Sequence, residues 1–323
     1  MRVLITGGAG FLGTLLARRL LAGPHIIGGA AAQDATELVL LDLVPPPADV
    51  AADRRVRSVT ADVGAGLATV GDVDAVFHLA GVVSGQAEAD FDLGLRTNLD
   101  GTRAVLEWAR RHRVPPVLVF TSSLAVFGRD PDFPPPDVVD DDTLPRPQSS
   151  YGFQKFIGEQ LVADYSRRGY LRGRSVRLMT VAVRPGRPNA AASGFLSSIV
   201  REPVHGQRTV CPVAPDLPVA LSSPERTLDG ILAAAAAGDR AWGSPTAMTL
   251  PGLSTTPGEL AAALDRLVGP GTGDLISWVP DPAVQAIVGS WPARFRTARA
   301  SRLGVRPNAD VDEVVREFLV ADG

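Results

Sequence analysis

Lysine is nearly missing from this sequence. Of its 32 lysines and arginines, Lys155 is the one lysine and the rest are arginine. A position that tolerates either base would be arginine here. Lys155 is therefore a candidate for work a guanidinium cannot do, with a chance survivor of skewed composition as the plain alternative. Cysteine is nearly missing too. A lone Cys211 leaves no internal disulfide framework and fits a reducing compartment. No apolar run reaches about 18 residues, so no membrane span is expected. The opening stretch MRVLITGGAG is too short for a signal peptide and runs straight into glycines, which points to a cytoplasmic protein. There is no basic run, and the net charge is −3, so nucleic acid is not an expected partner. The four histidines, His25, His78, His112 and His205, lack ligand spacing, and no metal is expected.

What is present is alternation. Short apolar runs (MRVLIT, ELVLLDL, RVRSVTAD, VDAVFHLAG, PVLVFTSS, RSVRLMTVAV) interleave with helical stretches, the longest near 90–112 and 150–168. Strands buried on both faces and separated by helices predict an α/β fold with a parallel sheet. After about residue 185 proline and glycine punctuate shorter elements. TAMTLPGL (246–253) reads as one more strand, and helices are predicted near 224–237, 257–267, 282–289 and 310–320. The expected organisation is residues 1–184 as a cofactor-binding domain, with 185–323 mainly a smaller substrate-binding portion whose strand near 246–250 returns to the sheet. A chain of 323 residues, 45% hydrophobic, has the length for this.

ITGGAGFLG sets Gly7, Gly10 and Gly13 between the first strand and the first helix, with Phe11 and Leu12 at the helix start. Glycine here allows a tight turn, close approach of backbone to a pyrophosphate and tight helix–strand packing. The helix N-terminus offers free N–H groups to the phosphates. This predicts a Rossmann-type doubly wound sheet. Asp42 ends the second strand, where a carboxylate would bind ribose hydroxyls and repel a 2′-phosphate, favouring NAD over NADP. It lies late because GPHIIGGAAAQDAT (23–36) reads as an insertion. Asp62 and Val63, after the third strand, sit where an adenine could be read; an ordinary turn aspartate is the equal alternative.

TSSLAVFG places Ser122 and Ser123 at the end of the fifth strand, where open α/β sheets bind ligands. PQSS then offers Ser149 or Ser150 as the N-cap of a helix carrying Tyr151 and Lys155, four apart and on one face. The set suits alcohol oxidation. A phenol ordinarily titrates near 10, and a neighbouring ammonium and a cationic nicotinamide would lower that. Tyr151 would take the hydroxyl proton, Ser123 would hold the oxygen, and Lys155 would touch ribose hydroxyls and sit near the phenol.

Taken in order, Gly7/Gly10/Gly13, HLAG (78–81), Asn98 in NLDGT, Ser123, Tyr151-x-x-x-Lys155 and Pro185-Gly186 resemble the extended short-chain dehydrogenases/reductases, over about residues 1–190. The resemblance implies that Ser123, Tyr151 and Lys155 form a catalytic triad. Asn98, with Leu79 and Ala80 of HLAG, would lie at the cofactor. It also implies a homodimer built on the two long helices. Phe127 stands where many members have tyrosine. Ser122-Ser123-Leu124 replaces the Thr-Asp-Glu of dehydratases, and the Arg-Tyr-Phe-Asn stretch of many epimerases is missing. A nucleotide-sugar epimerase that keeps its NAD is the alternative reading.

Two further stretches, 81–94 and 184–195, with VCPV (210–213), LPGLS (250–254) and VGSWPARF (288–295), resemble members of this family that oxidise the C2 hydroxyl of a four-carbon aldonate, D-erythronate, with NAD. By that resemblance Ser84, Gln86, Ser122, Ser123, Tyr151, Arg184, Arg187 and Asn189 would surround the small acid. Arginine forks suit a carboxylate, although bracing of the C-terminal portion explains either arginine as well. The acidic run Asp140–Asp142 is expected to be a solvated loop.

Overall fold

The computed structural model describes residues 1–130, 132–186 and 191–322. Its centre is a sheet of seven parallel strands. Six of these, in chain order, are β1 (Arg2–Thr6), β2 (Glu37–Asp42), β3 (Val56–Thr60), β4 (Ala75–His78), β5 (Val117–Ser123) and, after the two-residue β6 (Val139–Asp140), β7 (Arg172–Leu178); the seventh is a short strand later in the chain. Four short strands follow: β8 (Thr180–Val181), β9 (Thr209–Cys211), β10 (Val219–Ser222) and β11 (Met248–Thr249). Three more, β12 (Leu253–Thr255), β13 (Ile276–Trp278) and β14 (Phe295–Arg296), complete the described set. The large sheet runs β11-β7-β5-β4-β1-β2-β3. The order reverses between β1 and β4, and that switch point opens a crevice at the strands' carboxyl ends.

Side chains two apart on a strand point to the same face, and the cores follow. Val3 and Ile5 of β1 enter one core with Leu16 and Leu20 of the helix Phe11–Leu21 and Leu228 and Ile231 of the helix Pro224–Ala236. Leu4, between them, enters the opposite core with Val105, Leu106 and Phe120. A third core, around Leu196, Ile199, Leu260 and Phe318, is built from residues after 181 and covers the carboxyl edge.

Most expected elements fall where the residues put them, with helices at Pro224–Ala236, Pro257–Leu267, Pro282–Gly289 and Val311–Asp322. Three expectations need correction. The run RSVRLMTVAV is not one strand: β7 ends at Leu178, and β8 leaves the large sheet to pair with β10. TAMTLPGL likewise divides. Met248–Thr249 joins the large sheet beside β7, whereas Leu253–Thr255 pairs with β10 in the small one. In both cases apolar character persists across a change of sheet, so composition alone hides the break. The run Asp140–Asp142 is not merely solvated. β6 pairs with β14, Asp140 meets Arg296 at 2.7 Å, and Asp141 accepts from Arg299 N at 3.0 Å. The acids fasten a C-terminal segment to the loop after β5. The 23–36 stretch loops out from the sheet and docks through Gly28 N to Ala235 O at 2.7 Å. The helix Phe195–Val204 was not anticipated.

Candidate active site

The glycine loop closes the switch point. Gly7 has φ +71°, a conformation that disfavours a side chain, and a Cβ on it would lie 2.7 Å from Ala80 N. A Cβ on Gly13 would lie 2.0 Å from Gly7 O. Bare backbone is the only surface that fits between β1, β4 and the helix. That helix begins after Gly10 with no side-chain cap and no acidic residue in its first turn. Its N–H groups and positive dipole end suit a pyrophosphate. Asp42, at the end of β2, is held beside the loop: Oδ2 accepts from Ala9 N at 3.0 Å and Oδ1 from Leu43 N at 2.7 Å. Asp62 is exposed and caps the helix Val63–Leu67 by accepting from Gly64 N. These are the features a dinucleotide needs along one sheet edge.

Behind the loop after β4, a buried hydrogen-bond line fixes the backbone. Thr6 Oγ1 meets His78 Nδ1 at 2.6 Å, and His78 Nε2 meets Thr102 Oγ1 at 3.0 Å. Thr102 donates its own proton to Asn98 O, so it accepts from His78, and the neutral Nε2–H tautomer follows. Burial, helped by the Lys155 charge, pushes His78 down to about 3. Asn98 accepts from Val82 N at 2.9 Å and donates to Val82 O and Gln154 Oε1. It braces the loop rather than lining the cavity.

The helix Ser150–Arg167 starts at an N-cap, Ser149, whose hydroxyl accepts from Gly152 N. Its first turns carry Tyr151 and Lys155. Lys155 is buried, and its Nζ donates to Thr121 O at 2.9 Å and lies 5.0 Å from the Phe120 ring centroid. Burial pulls its pKa down to about 8, against the opposing pull of Glu159 one turn later. Glu159 is itself gripped by the Arg177 fork at 2.9 and 2.7 Å, and Ser122 donates to it at 2.5 Å. Ser122 therefore points its hydroxyl at this carboxylate, although it borders the cavity. Ser123 Oγ accepts from Ala125 N at 3.1 Å, and its hydroxyl is close enough to Tyr151 to help pull the phenol's pKa down.

The phenol corrects one expectation. Burial raises Tyr151 above the ordinary tyrosine value. The charge that pulls it back is Arg184, with the Ser123 hydrogen bond assisting. Lys155 Nζ stands 5.7 Å from the Tyr151 ring centroid, with its proton directed to Thr121. Arg184 is desolvated, which lowers its pKa, and its Nε donates to Val181 O at 3.3 Å. It has no carboxylate partner among the described residues.

Gly7, Gly10, Phe11, Leu12, Gly13, Leu79, Ser84, Ser122, Ser123, Tyr151, Lys155 and Arg184 border one cavity of about 290 Å³. Ser84 is buried there and accepts from Ala192 N at 3.2 Å. Gln86 is exposed, and with Asp42, Asp62, Val63, Ala80 and Asn98 it lies outside that lining. Arg187 and Asn189 fall outside the described residues. Sequence reasoning missed Met179, Ser193 and Trp291, which also line the cavity. Trp291 sits inside the VGSWPARF stretch, so the segment was visible but not which of its side chains turns inward. Glu159 was missed as well; a carboxylate four residues after the lone lysine was its one signal.

Residues 3–218 match the NAD dependent epimerase/dehydratase family. The chain is 48% identical to a D-erythronate dehydrogenase of Cupriavidus necator, over 99% of this chain and 98% of that one. It is 38% identical to a D-erythronate dehydrogenase of Haemophilus influenzae, over the full length of both. Among solved structures, a nucleoside-diphosphate-sugar epimerase from Agrobacterium tumefaciens superposes with a TM-score of 0.87 at 35% identity, covering 99% of this chain and 94% of that one.

Proposed function

The chain belongs to the NAD dependent epimerase/dehydratase family and is an NAD-dependent oxidoreductase of the extended short-chain dehydrogenase type; on that premise we propose that it oxidises the C2 hydroxyl of a small sugar acid, D-erythronate, to the 2-oxo acid. The observation that carries this reading is Arg184. A desolvated guanidinium without an acidic partner among the described residues borders the same cavity as Ser123, Tyr151 and Lys155. An arginine fork in such a place suits a substrate carboxylate. A C2 hydroxyl is adjacent to that carboxylate, so anchoring the acid brings the reacting carbon to the phenol.

Ser123 donates to the C2 oxygen and Tyr151 takes its proton. As the C–H bond breaks, its electron pair leaves carbon and the C–O bond becomes a carbonyl. NAD, when bound, supplies the hydride acceptor and a positive charge that lowers the phenol further. The glycine loop (Gly7, Gly10, Gly13, with Phe11 and Leu12) would hold the pyrophosphate and Asp42 the ribose. Asp62 and Val63 would meet the adenine. Leu79, Ala80 and the Asn98-braced loop would back the nicotinamide, with Lys155 on its ribose. Ser84 would complete the acid pocket beside Arg184, with Arg187 and Asn189 as further candidates.

We also propose a homodimer. The helix Ser150–Arg167 exposes Phe153 and Ile157, four residues apart on one face, and the four-residue helix Phe91–Gly94 that opens the 90–112 stretch exposes Phe91.

The test is NADH formation with NAD against a panel of four- to six-carbon aldonates. Turnover highest on D-erythronate supports the reading. A flat panel, with NAD copurifying and a nucleotide sugar interconverted without net NADH, overturns it in favour of epimerisation. The 35% identical epimerase structure is the observation that keeps that second reading in play.

A further inference from the structure

Trp291 comes from the far end of the chain, yet it borders the catalytic cavity together with Met179 and Arg184. A second cavity, of about 520 Å³, lies beyond it. That cavity is bordered by Leu217, Pro218, Glu259, Arg129 and Arg294, and by Trp291 again. No other residue is common to both linings among the described residues. The indole is therefore placed to divide the two spaces.

We infer that Trp291 is a specificity-determining residue: its indole is the end wall that limits the length of the acid at about four carbons. This rests on the reading of the preceding subsection. Trp291 packs, as Phe295 does, against the small buried cluster of Leu124, Met179 and Ala220. Leu124 follows the catalytic serine and Met179 follows β7, so the wall is fixed to the strands that carry the chemistry. A substrate held by its carboxylate and reacting at C2 has its remaining carbons as the only variable part. An aldonate of six carbons would push its last two hydroxymethylene groups into a wall. The outer space beyond that wall is polar, with Arg129, Arg294 and Glu259 at its border, and suits a polyol tail.

The test compares kcat/KM for D-erythronate with that for a six-carbon aldonate of the same C2 configuration, in the wild type, Trp291→Ala and Trp291→Phe. The expected result is a fall of tenfold or more in the four- over six-carbon preference for Trp291→Ala, read mainly as a lower KM for the longer acid. Trp291→Phe keeps an aromatic plug against Leu124 and Met179, so it guards against loss of folding, and it should shift the preference in the same direction by less. A wild type active on D-erythronate, with the ratio unchanged in both variants, overturns this inference alone. A wild type silent on every aldonate overturns the underlying reading and this inference with it.

Discussion

On the glycine-loop side of the cavity, backbone and buried polar groups are engaged with one another and carry no charge; on the Arg184 side a guanidinium has a backbone partner but no carboxylate among the described residues. The first wall is bare backbone at Gly7 and Gly13, fixed from behind by Thr6, His78, Thr102 and Asn98, each hydrogen-bonded to the next element. The second is made by the loop after β4 and by chain that follows β7. It offers a desolvated guanidinium, a serine and an indole contributed by separate segments. The contrast separates two tasks. A cofactor common to a whole family needs a fixed cradle, and a substrate particular to one enzyme needs charges without internal partners.

The helix Ser150–Arg167 carries Tyr151 and Lys155, the proposed proton acceptor and its neighbour, and its variants should have the largest effect. Tyr151→Phe is expected to lower kcat by about 10³-fold, because the proton acceptor is lost while the cavity keeps its shape. Stopped-flow NADH formation alongside a cofactor-binding titration checks this; near-normal kcat would remove the phenol from the chemistry. Lys155→Arg should also lose most turnover, since a planar fork cannot replace a compact ammonium that donates to Thr121 O within a buried slot.

On the substrate wall, Arg184→Met should raise KM for the acid by about 100-fold, the scale of a lost charge-assisted pair. It should also move the alkaline-rising limb of the kcat/KM profile to higher pH. The sign follows from the charge: Arg184 pulls the Tyr151 phenol down, so its loss lets the phenol rise. A profile that stays in place would separate Arg184 from Tyr151.

On the cofactor wall, Gly13→Ala should weaken NAD by roughly tenfold or more, because the added methyl would meet Gly7 O. Isothermal titration with NAD reads it directly. A further effect is expected in stability. His78 is held neutral, with its pKa lowered to about 3 in the folded protein against about 6.5 unfolded. The unfolded chain takes up a proton that the folded one refuses. Stability from this group is therefore present above about pH 6.5 and is lost as pH falls from there toward 3. Urea midpoints across that range should fall for the wild type and fall less for His78→Gln.

The same contrast explains what the sequence reveals. Glycine spacing, Asp42, and the lysine four residues after Tyr151 are local signatures, because each function there needs one residue type at one spacing. The strands buried on both faces read clearly for the same reason. The substrate wall is assembled from residues far apart in the chain, such as Ser84, Arg184 and Trp291, and no local period joins them. β8 and β12 run on from neighbouring strands without a break in the sequence, because a chain changing sheets keeps its apolar character. The buried Arg177–Glu159 pair was equally invisible, since nothing in the local pattern shows that β7 and the catalytic helix face each other there.

The most direct test of the division between the walls compares D-erythronate with erythritol, its neutral counterpart without the carboxylate, as NAD-linked substrates of the wild type and Arg184→Met. The account predicts that the wild type prefers the acid by about 100-fold in kcat/KM and that Arg184→Met loses most of that preference while its NAD affinity is unchanged. A variant that keeps the full preference for the acid would contradict it, and would place the recognition of the carboxylate elsewhere.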